Sequence, residues 1–137
     1  IRRIGLSIHL MRPMEDRNAT YDELRRLIPS LKIGPDWEDL QLRLNRKSPS
    51  EEFGFSFNAL RTWSSVVLSP VDVARAIASG QSSQLKGEHF CSLELDINTP
   101  NERTEPLQQE AMPQMLIEML RIAERIASEG NGIVNDE

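Results

Sequence analysis

Four segments of this chain alternate apolar and polar residues with a period of two, and helix signals separate them. "IRRIGLSIHLM" sets Ile4, Leu6, Ile8 and Leu10 against Arg3, Gly5, Ser7 and His9. "LQLRLN" puts Leu40, Leu42 and Leu44 on one side, and "EHFCSLELDIN" does the same with Cys91, Leu93, Leu95 and Ile97. "FGFSFNALRTW" carries Phe53, Phe55 and Phe57 on one parity. Successive side chains of a strand point to opposite faces, so each segment reads as a strand with one buried face.

Between them the period changes. In "TYDELRRLIPSL", Tyr21, Leu24, Leu27 and Ile28 form a helical stripe. Thr20 and Glu23 have capping-box spacing, and Pro29 stops the helix because the residue before a proline avoids the α region. "SPVDVARAIASG" has Ser69 at the cap, Pro70 at the first helical position, Asp72 closing the box and Gly80 at the end. A last helix is expected from near Pro113 to just before Gly130, with a short helical turn at Pro106–Glu110 ahead of it. "RPMEDRNAT", "LKIGPDWED", "RKSPSEE" and "TPNERTEP" read as breaks, each holding a proline or a cluster of turn residues.

The order is strand, helix, strand, strand, helix, strand, helix. This implies an α+β class chain, a ferredoxin-like β-α-β-β-α-β antiparallel four-stranded sheet with an added C-terminal helix. Residues 1–137 are expected to form a single domain. The first residue is Ile rather than Met, as expected of a processed chain or of the ordered part of a longer one.

The Phe-Gly-Phe run raises nucleic-acid stacking, since RNA-recognition domains of this topology expose aromatics on the sheet face away from the helices. Parity argues against it. The alternative face of that strand offers Gly54, Ser56 and Asn58, which cannot line a core, so the phenylalanines must point inward. The first strand holds no aromatic, and Glu51-Glu52 stand where a basic residue is expected. Net charge is −5, with 21 Asp and Glu against 16 Lys and Arg, which opposes a phosphate-backbone binder. The acids concentrate in the second half: residues 64–137 carry 12 Asp/Glu and 5 Lys/Arg.

Other classes lack their residues too. One cysteine, Cys91, excludes an internal disulfide and reads as a buried thiol of a reducing, cytoplasmic compartment. No run of roughly 18 apolar residues suggests a membrane span, and no small-residue cleavage site follows the opening segment. "GQSSQLKG" lacks the phosphate-loop pattern, and Ser64-Ser65 has no glycine elbow. No cofactor or metal is expected.

Two surfaces remain as candidates. The helix-free sheet face should show Ser7, His9, Gln41, Arg43, Asn45, Ser56, Asn58, Ser92, Glu94 and Asp96. There His9, Glu94 and Asp96 are candidate acid–base or metal-ligating groups, with Arg43 to hold an anion. The second surface is the C-terminal helix, where Met112, Met115, Met119 and Ile122 share a stripe that suits a partner. The expected function is a non-catalytic cytoplasmic protein-interaction module, homodimeric or masking a partner in the manner of an immunity protein or antitoxin. The alternative is a small enzyme working on the open sheet face around His9, Glu94 and Asp96.

Overall fold

A computed structural model describes residues 3–34, 36–68, 71, 74–75, 78–80, 88–102 and 105–130. The elements are β1 (Gly5–Met14), α1 (Arg17–Leu27), β2 (Gln41–Ser50), β3 (Phe55–Val67), β4 (His89–Asn98), a 3₁₀ turn (Gln109–Ala111) and α2 (Met112–Glu129). Half of the helix expected over Ser69–Gly80 lies outside the described residues; Val71, Ala74, Arg75 and Ala78 within it have helical backbone.

The four strands form one antiparallel sheet in the order β1-β4-β3-β2. The class is α+β, as the element order implied, and β4 pairs with β1 antiparallel, as expected. The ferredoxin-like order is not the one found, because β1 lies at an edge and β4 stands between β1 and β3. The reason is physical. Phe90, Cys91, Ser92, Leu93, Leu95, Ile97 and Asn98 of β4 are all buried. A strand so covered is best placed where both of its backbone edges are paired.

The edges are the two strands that contain proline. Pro13 lies within β1 and Pro49 within β2, positions read from sequence as breaks. An edge strand needs inter-strand hydrogen bonds on one side only, so a missing N–H on the other side costs nothing. Strand β3 likewise runs on past Trp63 through Ser64, Ser65 and Val66.

Helix α1 starts one turn earlier than the capping box suggested. Asp16 is the N-cap, and its carboxylate accepts from the Ala19 N–H at 2.8 Å. Thr20 is inside the helix and fully buried, its hydroxyl donating to the Asp16 carbonyl at 2.9 Å. Glu23 turns outward to β1 instead of back to Thr20. It accepts from Arg12 at 2.6 Å and from Arg26 at 2.7 Å, tying α1 to the β1 edge. The Arg26 hydrogen bond, then Arg26's charge and Arg12, hold the Glu23 carboxyl below the usual carboxylate range against the opposing effect of burial.

Helices α1 and α2 cover one face of the sheet. Leu24, Leu27 and Ile28 from α1 and its end, Met115, Met119, Ile122 and Ile126 from α2, and Phe57, Trp63, Leu93, Leu95 and Ile97 from the strands make one core. Side chains of this size contribute about 1.5–3 kcal/mol each on full burial. Phe53, Phe55 and Phe57 belong to that side. Phe55 and Phe57 meet edge to face with centroids 5.1 Å apart, and Phe57 is fully buried. The inward reading of the Phe-Gly-Phe run therefore holds.

Gly130 ends α2 with φ 64° and ψ −145°, a region for glycine alone. A Cβ there would lie 2.5 Å from the Leu27 carbonyl oxygen and 2.9 Å from Leu27 Cα. Gly54, in the β2–β3 turn, also has positive φ (66°), yet a Cβ there meets nothing within 4 Å. Gly54→Ala should therefore cost about 1 kcal/mol, and Gly130→Ala about 3 kcal/mol or more. Urea unfolding of both variants checks the contrast. Equal losses would mean that the α1–α2 contact at Leu27 is wrong.

Candidate functional site

The face not covered by α1 or α2 is built from the opposite parity of the same strands. Its residues fall in rows that the register fixes. Arg43 is opposite Thr62, Thr62 opposite Glu94, and Glu94 opposite His9, so these four cross the sheet in one line. The next row toward the β1 start is Asn45, Leu60, Asp96 and Ser7; toward the other end it is Gln41, Ser64, Ser92 and Met11. A groove of 520 Å³ runs over the centre, lined by Ser7, His9, Gln41, Arg43, Thr62, Glu94 and Asp96 among others. Opposed residues in an antiparallel sheet have Cβ atoms roughly 5 Å apart, so the groove's groups are held by strand geometry rather than by loops.

The structure thus brings His9, Glu94 and Arg43 together in one row and places Asp96 in the adjacent one. Their detailed contacts differ from those of a serine–histidine–acid relay. His9 Nε2 and Ser92 Oγ are hydrogen-bonded at 2.8 Å, and the same nitrogen lies 4.0 Å from Glu94 Oε1. In a serine–histidine–acid relay the acid holds the nitrogen that the serine does not use. Here serine and acid compete for one. Ser92 is also 1% exposed, so its hydroxyl has no access to a substrate. Asp96 accepts from Asn98 Nδ2 at 3.0 Å, and Asn98 in turn accepts from Asn58 at 3.3 Å, which commits Asp96 to a chain of amides. Among the described residues no three His, Cys, Asp or Glu gather as a metal-holding cluster.

What the face does offer is exposed, opposite charge. The side chains of His9 and Glu94 are 52% and 61% exposed. Arg43 makes no ion pair among the described residues. The His9–Ser92 bond was not foreseen. Both residues were on the open-face parity, but the pairing offset that brings them together is not written in either strand.

The methionine stripe is placed differently from the expectation. Met115, Met119 and Ile122 are 4%, 0% and 5% exposed, packed in the chain's own core, and Met112 is half-buried. The expectation assumed that α2 had only the polar sheet face to cover. It lies instead beside α1 on the apolar face, and the apolar residues left outside are Ile117 and Leu120.

Cys91 is buried on the helix side, at a 450 Å³ cleft also lined by Arg12, Glu23, Arg26 and Trp63. Burial, with the nearby Glu23 carboxylate, raises its thiol pKa to about 11, and Arg12 and Arg26 offset this only in part.

No family model, no curated protein and no solved structure matches this chain. Any functional reading therefore stands on the residues described above.

From an ordinary value of 9.0, a rise to about 11 lowers the thiolate fraction near neutral pH by about a hundredfold. Native Cys91 should accordingly react with a thiol reagent at least about a hundred times more slowly than the urea-unfolded chain at the same pH. Equal rates would place Cys91 at the surface.

Proposed function

We propose that this chain is a non-catalytic protein-interaction module whose recognition surface is the face of the sheet that α1 and α2 leave uncovered. The observation that carries this reading is the row His9–Glu94–Thr62–Arg43 across a 520 Å³ groove. The strands fix the Cβ positions from which these side chains rise, which favours recognition by a set pattern of charge. Arg43 faces a partner's acid, Glu94 faces a partner's base, and Thr62 and Gln41 supply neutral donors and acceptors between them.

Catalysis finds little support in the same geometry. Ser92 is buried beneath His9, Cys91 is buried on the far side, and Asp96 is engaged by Asn98. The partner on this reading is a protein, either another chain or a second copy, in the cytoplasm, where the free thiol stays reduced. An acidic masking protein of the immunity or antitoxin kind is one instance. The chain's net charge of −5 favours a target with a basic patch over a nucleic acid.

A second reading, a small enzyme, draws on one observation: His9 and Glu94 share the groove with Arg43 in line to hold an anionic substrate. It requires His9→Ala to abolish turnover of some substrate while leaving partner capture intact.

The test of the first reading is quantitative capture from source-cell extract with three baits: wild type, Arg43→Glu/Glu94→Lys, and Lys32→Glu as a remote surface control. One stoichiometric partner should be retained by wild type and Lys32→Glu, and reduced about tenfold or more by the double reversal. If the partner is a second copy, light scattering should show the same ranking in mass. A partner indifferent to the double reversal, or neither partner nor self-association, would remove the reading.

A further inference from the structure

On the opposite side of the sheet, between the β2 edge and α2, lies a small cleft of 160 Å³ whose charged lining, among the described residues, is all of one sign. Arg46, Lys47, Arg61 and Arg125 line it with Ser48, and among the described residues no Asp or Glu does, in a chain where acids outnumber bases. Ile122 and Ile126 of α2 form an apolar wall. We propose that this cleft binds a single tetrahedral oxyanion, namely phosphate or the phosphate group of a small molecule.

The placement of the charges carries the argument. Arg61 stands on the core parity of β3, flanked along the strand by Ala59 and Trp63, and is only 5% exposed. The register puts it opposite Leu44 and puts Arg46 opposite Ala59, so both guanidinium groups rise from the helix-side face of adjacent strands. Burial lowers the Arg61 pKa, and the charge of Arg46 lowers it further. Arg46, Lys47 and Arg125 make no ion pair with an acid among the described residues.

Like charges held against an apolar wall repel with less screening than at an open surface. A bound anion converts that repulsion into attraction. Guanidinium forks match the geometry of phosphate oxygens, and charge-assisted hydrogen bonds of this kind are roughly twice as strong as neutral ones. The size of the cleft selects the ligand class. Organic ligands of drug size need about 300 Å³ or more, so this cleft admits one phosphoryl group and leaves any remainder of a larger molecule outside. The site is on the other side of the sheet from the groove and does not depend on the interaction reading.

The experiment titrates inorganic phosphate into the full chain, by calorimetry and amide chemical shifts, with ionic strength held constant by sodium chloride. The expected result is saturable, submillimolar binding, with shifts at Arg46, Ser48 and Arg125. Arg46 and Arg125 are exposed, so Arg46→Ala/Arg125→Ala should fold like wild type and bind about tenfold or more weakly. Lys32→Ala should bind as wild type does. Phenyl phosphate as a second probe separates the sources. Binding at least as tight as that of inorganic phosphate supports a group carried on a larger molecule, and weaker binding supports the free anion. Shifts no larger than those from chloride alone, or phosphate binding that survives the double substitution, would overturn the site.

Discussion

Strand β4 is hydrogen-bonded to a neighbour along both edges, to β1 on one side and to β3 on the other. The rest of the structure depends on that double pairing. It brings residues 5–14 to the hairpin formed by β2 and β3, and closes a chain separation of more than eighty residues between His9 and Ser92. Its helix-side residues, from Cys91 to Ile97, form the floor on which α1 and α2 pack. Its other residues, Ser92, Glu94 and Asp96, are the centre of the open face. A strand with such a division on its two faces sets the chemistry of both sides of the sheet.

The two sides then have different capacities. The helix side is dry over most of its area, and its exceptions are informative: a buried thiol held protonated, an acid bridged by two arginines, and a cluster of cations beside the β2 edge. The open side is polar, with charges of both signs fixed in rows across four strands. Mixed charge on a rigid surface suits recognition of another patterned surface. The serine nearest the histidine is covered, and one carboxylate is engaged by an amide. The edges of the sheet carry Pro13 and Pro49, which discourage strand addition by another chain.

Local features were legible in the sequence. The alternation of Cys91, Leu93, Leu95 and Ile97 gave β4 to within a residue, and Pro113 and Gly130 bracketed α2. The parity argument on Gly54, Ser56 and Asn58 correctly turned the phenylalanines inward. The candidate residues His9, Glu94 and Arg43 fell on one face because parity is local and the β1–β4 pairing was anticipated. Strand order was not legible, since element order is shared by several antiparallel arrangements and only long-range burial separates them. Prolines at edges read as breaks because sequence does not reveal which strands are edges. The Asp16 cap was hidden by the Thr20–Glu23 spacing, which looks like a capping box until Glu23 is seen bound to Arg12. Arg61 gave no signal at all. It lies on the apolar parity of "FNALRTW", and only the fold shows Arg46, Lys47 and Arg125 around it.

The measurement that bears most directly on this account is the pattern of cross-strand nuclear Overhauser contacts in the isotopically labelled chain. The β1-β4-β3-β2 order requires backbone contacts between β3 and β4 around the pairs Thr62–Glu94 and Leu60–Asp96, together with β1–β4 contacts around His9–Glu94. Both sets present, with none between β1 and β3, would establish the row on which the open face is built. Backbone contacts between β1 and β3, with β4 at the sheet edge, would contradict the order and dissolve the His9–Glu94–Thr62–Arg43 line.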